Sequence, residues 1–488
     1  MSEFPSARPA TESEHPVATD AERNRWIALL VCCSALFMTL LDVSITNVAL
    51  PSISDATGAG PSQLQWIVGG YTLSFGLVPV LAGRLGDDHG RRRMFQVGVA
   101  GFALTSAVAG LAPTAELLIA ARVLQGVAGG LINPQVSGLV QQMFRGDERG
   151  RAFGALGTTV GLGTALGPLV GGALIALGGP DLGWRLVFFV NVPIGVVVMM
   201  LARRYLPRTP KVGGHRLDVL GSLILGGAIF CVLFAAVELE QVGRPALLLV
   251  APALVLLLLF WRRERRLTQA GSDPLVDLRL FRRPSYTSGV VLALLYFPAQ
   301  AGLPLVMALY FQYGLGFSAL HSALGVTAFA VGSAAAAHAA GRYVTRVGRP
   351  LVVGGATVFG VGAVALGLVA LSAPTEHAVL AMAGPLFVMG VGNGAVITPN
   401  QALTLMDVDP VVGSTAGGVL QTAQRVGLAI GQAVIGAAFF AAVDGPGAAS
   451  YGHALGIAVV VTLGFVVAAT GVGAWEIVRQ RRTDRVEA

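Results

Sequence analysis

Lysine is almost absent from this chain, since Lys211 is the only one among 33 Lys and Arg. Charge of either sign is scarce, at 12% of 488 residues, where soluble domains carry roughly 25%. Cysteine numbers three, and Cys32, Cys33 and Cys231 all fall in apolar runs. That placement excludes a disulfide framework or a cysteine metal cluster and leaves them as small core residues. A P-loop needs Gly-Lys-Ser/Thr, but the sole lysine sits in Pro210-Lys211-Val212, which excludes a nucleotide-driven pump. His-Glu-x-x-His, Gly-x-Ser-x-Gly and any Cys/His cluster at metal spacing are missing as well, which speaks against an intramembrane enzyme.

Apolar sequence fills the chain instead, at 54% hydrophobic residues and a mean hydropathy of +0.71. Runs of about 20 apolar residues separated by short basic loops specify an all-α polytopic membrane protein. No stretch shows the short alternation of a membrane β-barrel. Fourteen transmembrane spans are expected: 26–49, 63–82, 94–112, 117–141, 152–177, 186–203, 218–237, 246–261, 286–311, 322–340, 351–372, 378–400, 415–441 and 454–477.

Charge tests this segmentation independently. All but four of the Lys and Arg fall on loops and tails of one side. Arg185 and Arg244 lie on the other, and Arg122 and Arg425 lie inside spans. The positive-inside rule then places both termini in the cytoplasm. The net charge of +7 therefore faces anionic lipid and not nucleic acid. Residues 1–25 are expected as a disordered cytoplasmic tail and 479–488 as a second tail.

Two loops share a Gly-Arg-x5-Gly-Arg frame, Gly83 to Arg93 after span 2 and Gly341 to Pro350 after span 10. If those spans are equivalent, spans 1–6 (26–204) and spans 9–14 (286–478) form two six-helix halves. Spans 7 and 8 with a basic linker (205–285) are then an insertion. Parallel repeats of this kind are typical of secondary transporters. Spans 7 and 8 have no interior charge, which argues for a peripheral, lipid-facing pair. The loop 262–285, with seven arginines, reads as an amphipathic linker on the inner leaflet.

Asp42 stands out as the acid in the interior of a span. A carboxylate in hydrocarbon costs several kcal/mol, on the order of 3, unless it is paired, wet or protonated. Thr39 and Thr46 share its helical face, with Asn47 nearby. The functional reading is a protonatable group lining a central cavity, and the structural one is an acid bonded to a neighbouring helix. Arg122 lies on one face of span 4 with Gln125, Gly126, Gly129 and Asn133. It stays charged at any relevant pH, and a guanidinium snorkelling to the outer interface is the bland alternative.

Span 13 carries Gln421, Gln424 and Arg425 along one side, and span 12 carries Asn393 and Asn400. Amides in a span prefer protein or water to lipid, so substrate contact and interhelix bonding are equally open. Tyr296 in span 9 can stack on a flat ligand or simply pack. The glycines of span 5, Gly163, Gly167, Gly171 and Gly172 with Pro168, allow close helix contact and a bend.

Several ordered stretches resemble the major facilitator superfamily, and within it the fourteen-helix drug–proton antiporters. They are LDVSITNVALP at 41–51, the Gly83–Arg93 loop, RVLQGVAGG at 122–130, GLGTALGPLVGG at 161–172 and WRLVFFVNVPIG at 184–195. The resemblance runs over about residues 26–478. It implies proton coupling for Arg122 and a cytoplasmic gate for Gly83, Asp87, Gly90, Arg91 and Arg92. It also implies that the Gly-Pro element of span 5 packs against the opposite half as hinge and seal. In the second loop copy Thr345 replaces the acid, so a strong latch is expected in one half only.

Together these imply a proton-coupled exporter of lipophilic drugs or antibiotics in a bacterial inner membrane. The alternative is an exporter or flippase of an amphiphilic lipid or endogenous metabolite. One proton per cycle through Asp42, a neutral or monocationic substrate, no cofactor and a monomer are the accompanying expectations. Glu116 and Glu238 at span boundaries are the fallback coupling acids.

Overall fold

A chain this poor in charge must satisfy its backbone inside each segment, and helices do so. The computed structural model describes residues 20–208, 218–238, 244–317, 322, 325–372, 378–445 and 447–487. Among these, the α-helices are α1 (Asp20–Thr57), α2 (Pro61–Leu77), α3 (Pro79–His89), α4 (Arg91–Leu111) and α5 (Ala115–Met143). They continue with α6 (Gly146–Phe189), α7 (Asn191–Tyr205), α8 (Val219–Glu238), α9 (Val250–Gln269) and α10 (Pro284–Leu309). The last are α11 (Thr327–Val347), α12 (Arg349–Ser372), α13 (Ala378–Thr404), α14 (Gly413–Ala441) and α15 (Ala448–Glu487).

Among the described residues twelve helices are long and apolar enough to cross a membrane, or thirteen if α2 and α3, bent by 47°, count as one span. The expected span at 322–340 lands on α11, whose Ser333, His338, Arg342 and Arg346 dilute its apolar content. α1 begins at Asp20, inside the stretch expected as a tail. Arg25 holds it there, donating to the Glu148 carboxylate at 3.2 Å and to the Met143 carbonyl at 3.3 Å. α15 likewise runs to Glu487, past the expected end of the last span. Lys211 and residues 1–19 lie outside the described residues.

α1, α6, α7, α4, α5 and α2 pack on one another as one half, and α10 to α15 as the other. Contacts between the halves include α6 on α11 and α13, and α2, α3 and α5 on α14. Many of these contacts, such as Gly83 on Ser414 and Gly150 on Gly341, lie toward the side of the bundle that carries the basic loops. Small residues make the closest approach possible. A Cβ on Gly154 would lie 3.1 Å from Gly341 Cα, and one on Gly341 would lie 2.6 Å from Gly154 Cα.

α8 pairs with α9 and touches α2 and α14 at the edge of the bundle. Leu73, Ile229 and Leu233 form a small buried cluster there, with Val426 against it. The segment after α9 is not an open linker on lipid. α9 itself continues through Arg262–Arg266, and Leu275 and Val276 then tuck against Phe260 and Val80. Apolar side chains at alternate depth in that loop gain more by covering the bundle than by facing headgroups. Asp218 anchors the start of α8. Burial pushes its carboxyl up, but donors from Arg263 and the Gly221 N–H outweigh this and leave it below the ordinary range.

Candidate functional site

Asp42 lies on α1 and is wholly inaccessible. Its Oδ2 pairs with Arg122 Nη1 at 2.5 Å. Its Oδ1 accepts from Gln125 Nε2 at 2.9 Å and from Asn191 Nδ2 at 2.8 Å. Arg122 and Gln125 stand three residues apart on α5, one helical turn, and so reach the same carboxylate. Arg122 also donates to Gln125 Oε1 at 2.7 Å and, through Nε, to the Ile67 carbonyl at 3.2 Å. Its guanidinium carbon lies 4.3 Å over the Tyr71 ring. A buried ion pair is tolerable only when its remaining donors and acceptors are satisfied, and here α2, α5 and α7 satisfy them. Arg122 therefore points into its own half and not toward an interface.

The central cavity is a separate place. Its volume is about 240 Å³, and both halves line it. α1 gives Leu36 and Leu40, α5 gives Asn133 and Ser137, and α14 gives Gln421, Gln424 and Arg425. Phe297 and Gln300 of α10 and Gln401 of α13 complete its polar and aromatic wall. Ser137 Oγ accepts from Gln401 and Gln421, each at 3.2 Å, and so ties the halves together beneath the cavity. The described lining has one charged side chain, Arg425, and no carboxylate.

An aromatic stack joins the two places. Tyr71 and Phe75 of α2 stack with centroids 5.6 Å apart. Arg425 lies 4.3 Å over Phe75, as Arg122 lies over Tyr71. Each ring of the stack thus carries one guanidinium group, at a distance where cation–π attraction applies.

At the basic-loop end, Asp87 of α3 caps the N-terminus of α14. Its carboxylate accepts from the Ser414 N–H at 3.2 Å, the Thr415 N–H at 2.8 Å and Thr415 Oγ1 at 2.8 Å. Orphan N–H groups and the helix dipole make that end attractive to an anion. Arg91 binds the same carboxylate through Nε at 3.0 Å and Nη2 at 2.7 Å. It also donates to the Gly138 carbonyl at 3.0 Å and to the carbonyls of Pro410 and Val411. Gly83 must be glycine here, because a Cβ would meet the Ser414 carbonyl at 2.4 Å. Gly90 closes α3 at φ 98°, in the left-handed region. Arg92 caps the end of α7, donating to the carbonyls of Leu206 and Arg203.

Residues 32–432 match the Major Facilitator Superfamily. The chain belongs to the major facilitator superfamily. It is 38% identical over 420 residues to a protein of Streptomyces coelicolor named "Probable actinorhodin transporter", covering 85% of this chain and 72% of that one. It is 31% identical over 431 residues to the "Tetracenomycin C resistance and export protein" of Streptomyces glaucescens, covering 86% and 77%. The crystal structure of the human organic anion transporter MFSD10 superposes with a TM-score of 0.67 at 14% identity, covering 92% of this chain and 99% of that one. That likeness shows the fold alone.

Within this facilitator, several expected cavity residues lie elsewhere. Asn133, Gln421, Gln424 and Arg425 do line the cavity. Thr39 and Thr46 are buried and donate to the carbonyls of Leu36 and Asp42. The face of α1 bearing Asp42 is rotated roughly 100° from the Leu36–Leu40 face that meets the cavity. Asn47 is exposed and outside the lining. Gln125 serves Asp42. Tyr296 donates to Asn393 Oδ1 at 3.2 Å, and Asn393 donates to Ser333 at 2.9 Å, a network inside the second half.

The Gly-Pro element divides between two partners. Gly163, Gly167 and Gly171 face Leu40, Ser44 and Ile45 of α1, in their own half, and Gly172 faces open space. The earlier glycines of α6 meet the opposite half, Gly157 at Thr398 and Gly161 at Ala334. The backbone break of this run falls at Gly179 (φ 68°), and α6 stays helical through Pro168.

Three features escaped the sequence. Asn191 completes the Asp42 shell, and only its place in the FVNVP run hinted at it. The Tyr71–Phe75 stack looked like ordinary span residues. Arg349, the counterpart of Arg91, forms a second buried pair with Glu476 at 2.7 Å and donates to Asn400 Oδ1 at 2.5 Å. Glu476 sat one residue from an expected span end, where acids are unremarkable. On that side Thr345 donates to Asp147, so the carboxylate comes from α6 and not from the loop.

Proposed function

We propose that this chain is a proton-coupled exporter of lipophilic antibiotics or drugs that works by alternating access, with fourteen spans and both termini in the cytoplasm of a bacterial cell. What carries the reading is the separation of a buried carboxylate, Asp42, from a cavity that both halves line, with an aromatic stack between them. The relatives named for actinorhodin transport and tetracenomycin C export support an exported secondary metabolite as cargo.

In the arrangement described, the basic-loop ends are joined, so the cavity faces the other side. Protonation of Asp42 from that side removes its charge and weakens its hold on Arg122. The freed guanidinium pulls on Tyr71, and the stack passes the displacement to Phe75 and the cavity wall. The halves then rock apart at the Asp87–α14 junction, the proton leaves to the cytoplasm, and substrate enters. A ligand shifts such an equilibrium only by its differential affinity for the two states. Here the proton and the substrate favour opposite states.

The test compares wild type with Asp42→Asn in proteoliposomes under an imposed proton gradient. Substrate-evoked proton release should vanish in the variant, while binding at the cavity persists because Asp42 does not touch it. Unchanged gradient-driven transport in Asp42→Asn would refute the assignment and redirect attention to Glu116.

A further inference from the structure

We infer that the cavity takes organic acids: amphiphilic molecules whose carboxylate or phenolate is held by Arg425. The inference rests on reading the cavity as the substrate site and goes beyond it by fixing the charge of the substrate.

Arg425 is the cavity's only charged side chain among the described residues, and no described carboxylate lies within ion-pairing distance of it. A guanidinium does not shed its proton at any attainable pH. Its charge in this half-enclosed, mostly apolar space is therefore permanent and is met only by the face of Phe75. The fully buried arginines of the described bundle each have a carboxylate, Arg122 that of Asp42, Arg91 that of Asp87 and Arg349 that of Glu476. A mobile anion is the partner this position lacks, and a planar carboxylate fits the guanidinium fork.

Asn133 Oδ1 and Gln421 Oε1 belong to the same lining and have no donor among the described residues. They add acceptors for hydroxyl groups on the same molecule. A cationic substrate, by contrast, would bring like charge to Arg425 with no acid to offset it. The expectation of a monocationic cargo is thereby replaced.

The charge also has a transport consequence. Outward movement of a monoanion against inward movement of one proton transfers two charges per cycle, and a neutral cargo transfers one.

Full-length protein in nanodiscs is titrated by equilibrium dialysis with anthracene-2-carboxylate, its methyl ester and 2-(aminomethyl)anthracene. The carboxylate should bind at least tenfold more tightly than either analogue. Arg425→Gln should bring carboxylate and ester to the same affinity, and Arg425→Lys should restore part of the difference. Equal binding of the three probes, absent carboxylate binding, or a preference that survives Arg425→Gln would overturn the inference. The wild-type comparison decides even if the variants fail to fold. In proteoliposomes the charge moved per molecule should be two for the carboxylate and one for the ester. Absence of proton-driven flux for every probe, with selective carboxylate binding intact, would count against proton antiport and leave the anion site standing.

Discussion

Replacing Asp87 with asparagine attacks the junction between the halves with almost no change of volume. The carboxylate takes five hydrogen bonds, two from Arg91 and three from the first residues of α14. An asparagine keeps one acceptor and turns an NH2 toward groups that themselves donate. Loss of a helix N-cap costs about 0.5–2 kcal/mol. Breaking a buried ion pair costs about 3–5 kcal/mol when the remaining charge has no other partner. Arg91 keeps three carbonyl acceptors, at Gly138, Pro410 and Val411, so its share falls below that range, to about 1.5–2 kcal/mol.

A net loss of about 2–4 kcal/mol for the joined state follows, or roughly a 30- to 700-fold rise in the separated population at about 1.4 kcal/mol per decade. Gln141, buried and donating to the Gly413 carbonyl at 3.3 Å, reports on this directly. In a chain with Cys32, Cys33 and Cys231 replaced, Gln141→Cys is alkylated by a charged maleimide supplied on the basic-loop side. Adding Asp87→Asn should accelerate labelling by one to three orders of magnitude. A change below threefold would mean that the Asp87 network does not hold the halves together, and the reasoning would fail.

Gly341→Val places a side chain against the backbone of Gly154, 2.6 Å from its Cα at Cβ alone. α6 and α11 should then be unable to close, and export should fall at least tenfold while the cavity still binds probe. Glu476→Gln strips the buried Arg349 of its counter-ion and should cost about 3–5 kcal/mol, seen as a large loss of thermal stability in detergent. Arg349→Met added to Glu476→Gln should recover much of that loss, and no recovery would show that the pair is not the source.

Some of this was legible from residue order alone. The hydropathy runs and the placement of arginine determined an α-helical membrane chain, because hydrocarbon admits few other backbones and the basic loops mark one side. The Gly-Arg-x5-Gly-Arg frame marked two related halves, and Asp42 and Arg122 were visible as charges where charge is costly. Local rules also suffice for Asp87, since an acid preceding a tight turn is suited to cap a helix.

Partners and faces were decided only in three dimensions. Helical periodicity says that Thr39, Asp42 and Thr46 share a side of α1, but not which neighbour that side meets. Packing turned it toward α2, α5 and α7 and gave the cavity to Leu36 and Leu40. The same blindness hid that the Gly-Pro element divides, Gly157 and Gly161 meeting the opposite half and Gly163, Gly167 and Gly171 meeting α1, since small residues advertise close contact without naming the helix that makes it. Asn191 lies 149 residues from Asp42 and Glu476 lies 127 from Arg349, separations that no local pattern spans. The sequence supplied the charges, and the tertiary structure gave Arg91, Arg122 and Arg349 fixed counter-ions and left Arg425 without one among the described residues, because only packing determines which buried groups meet.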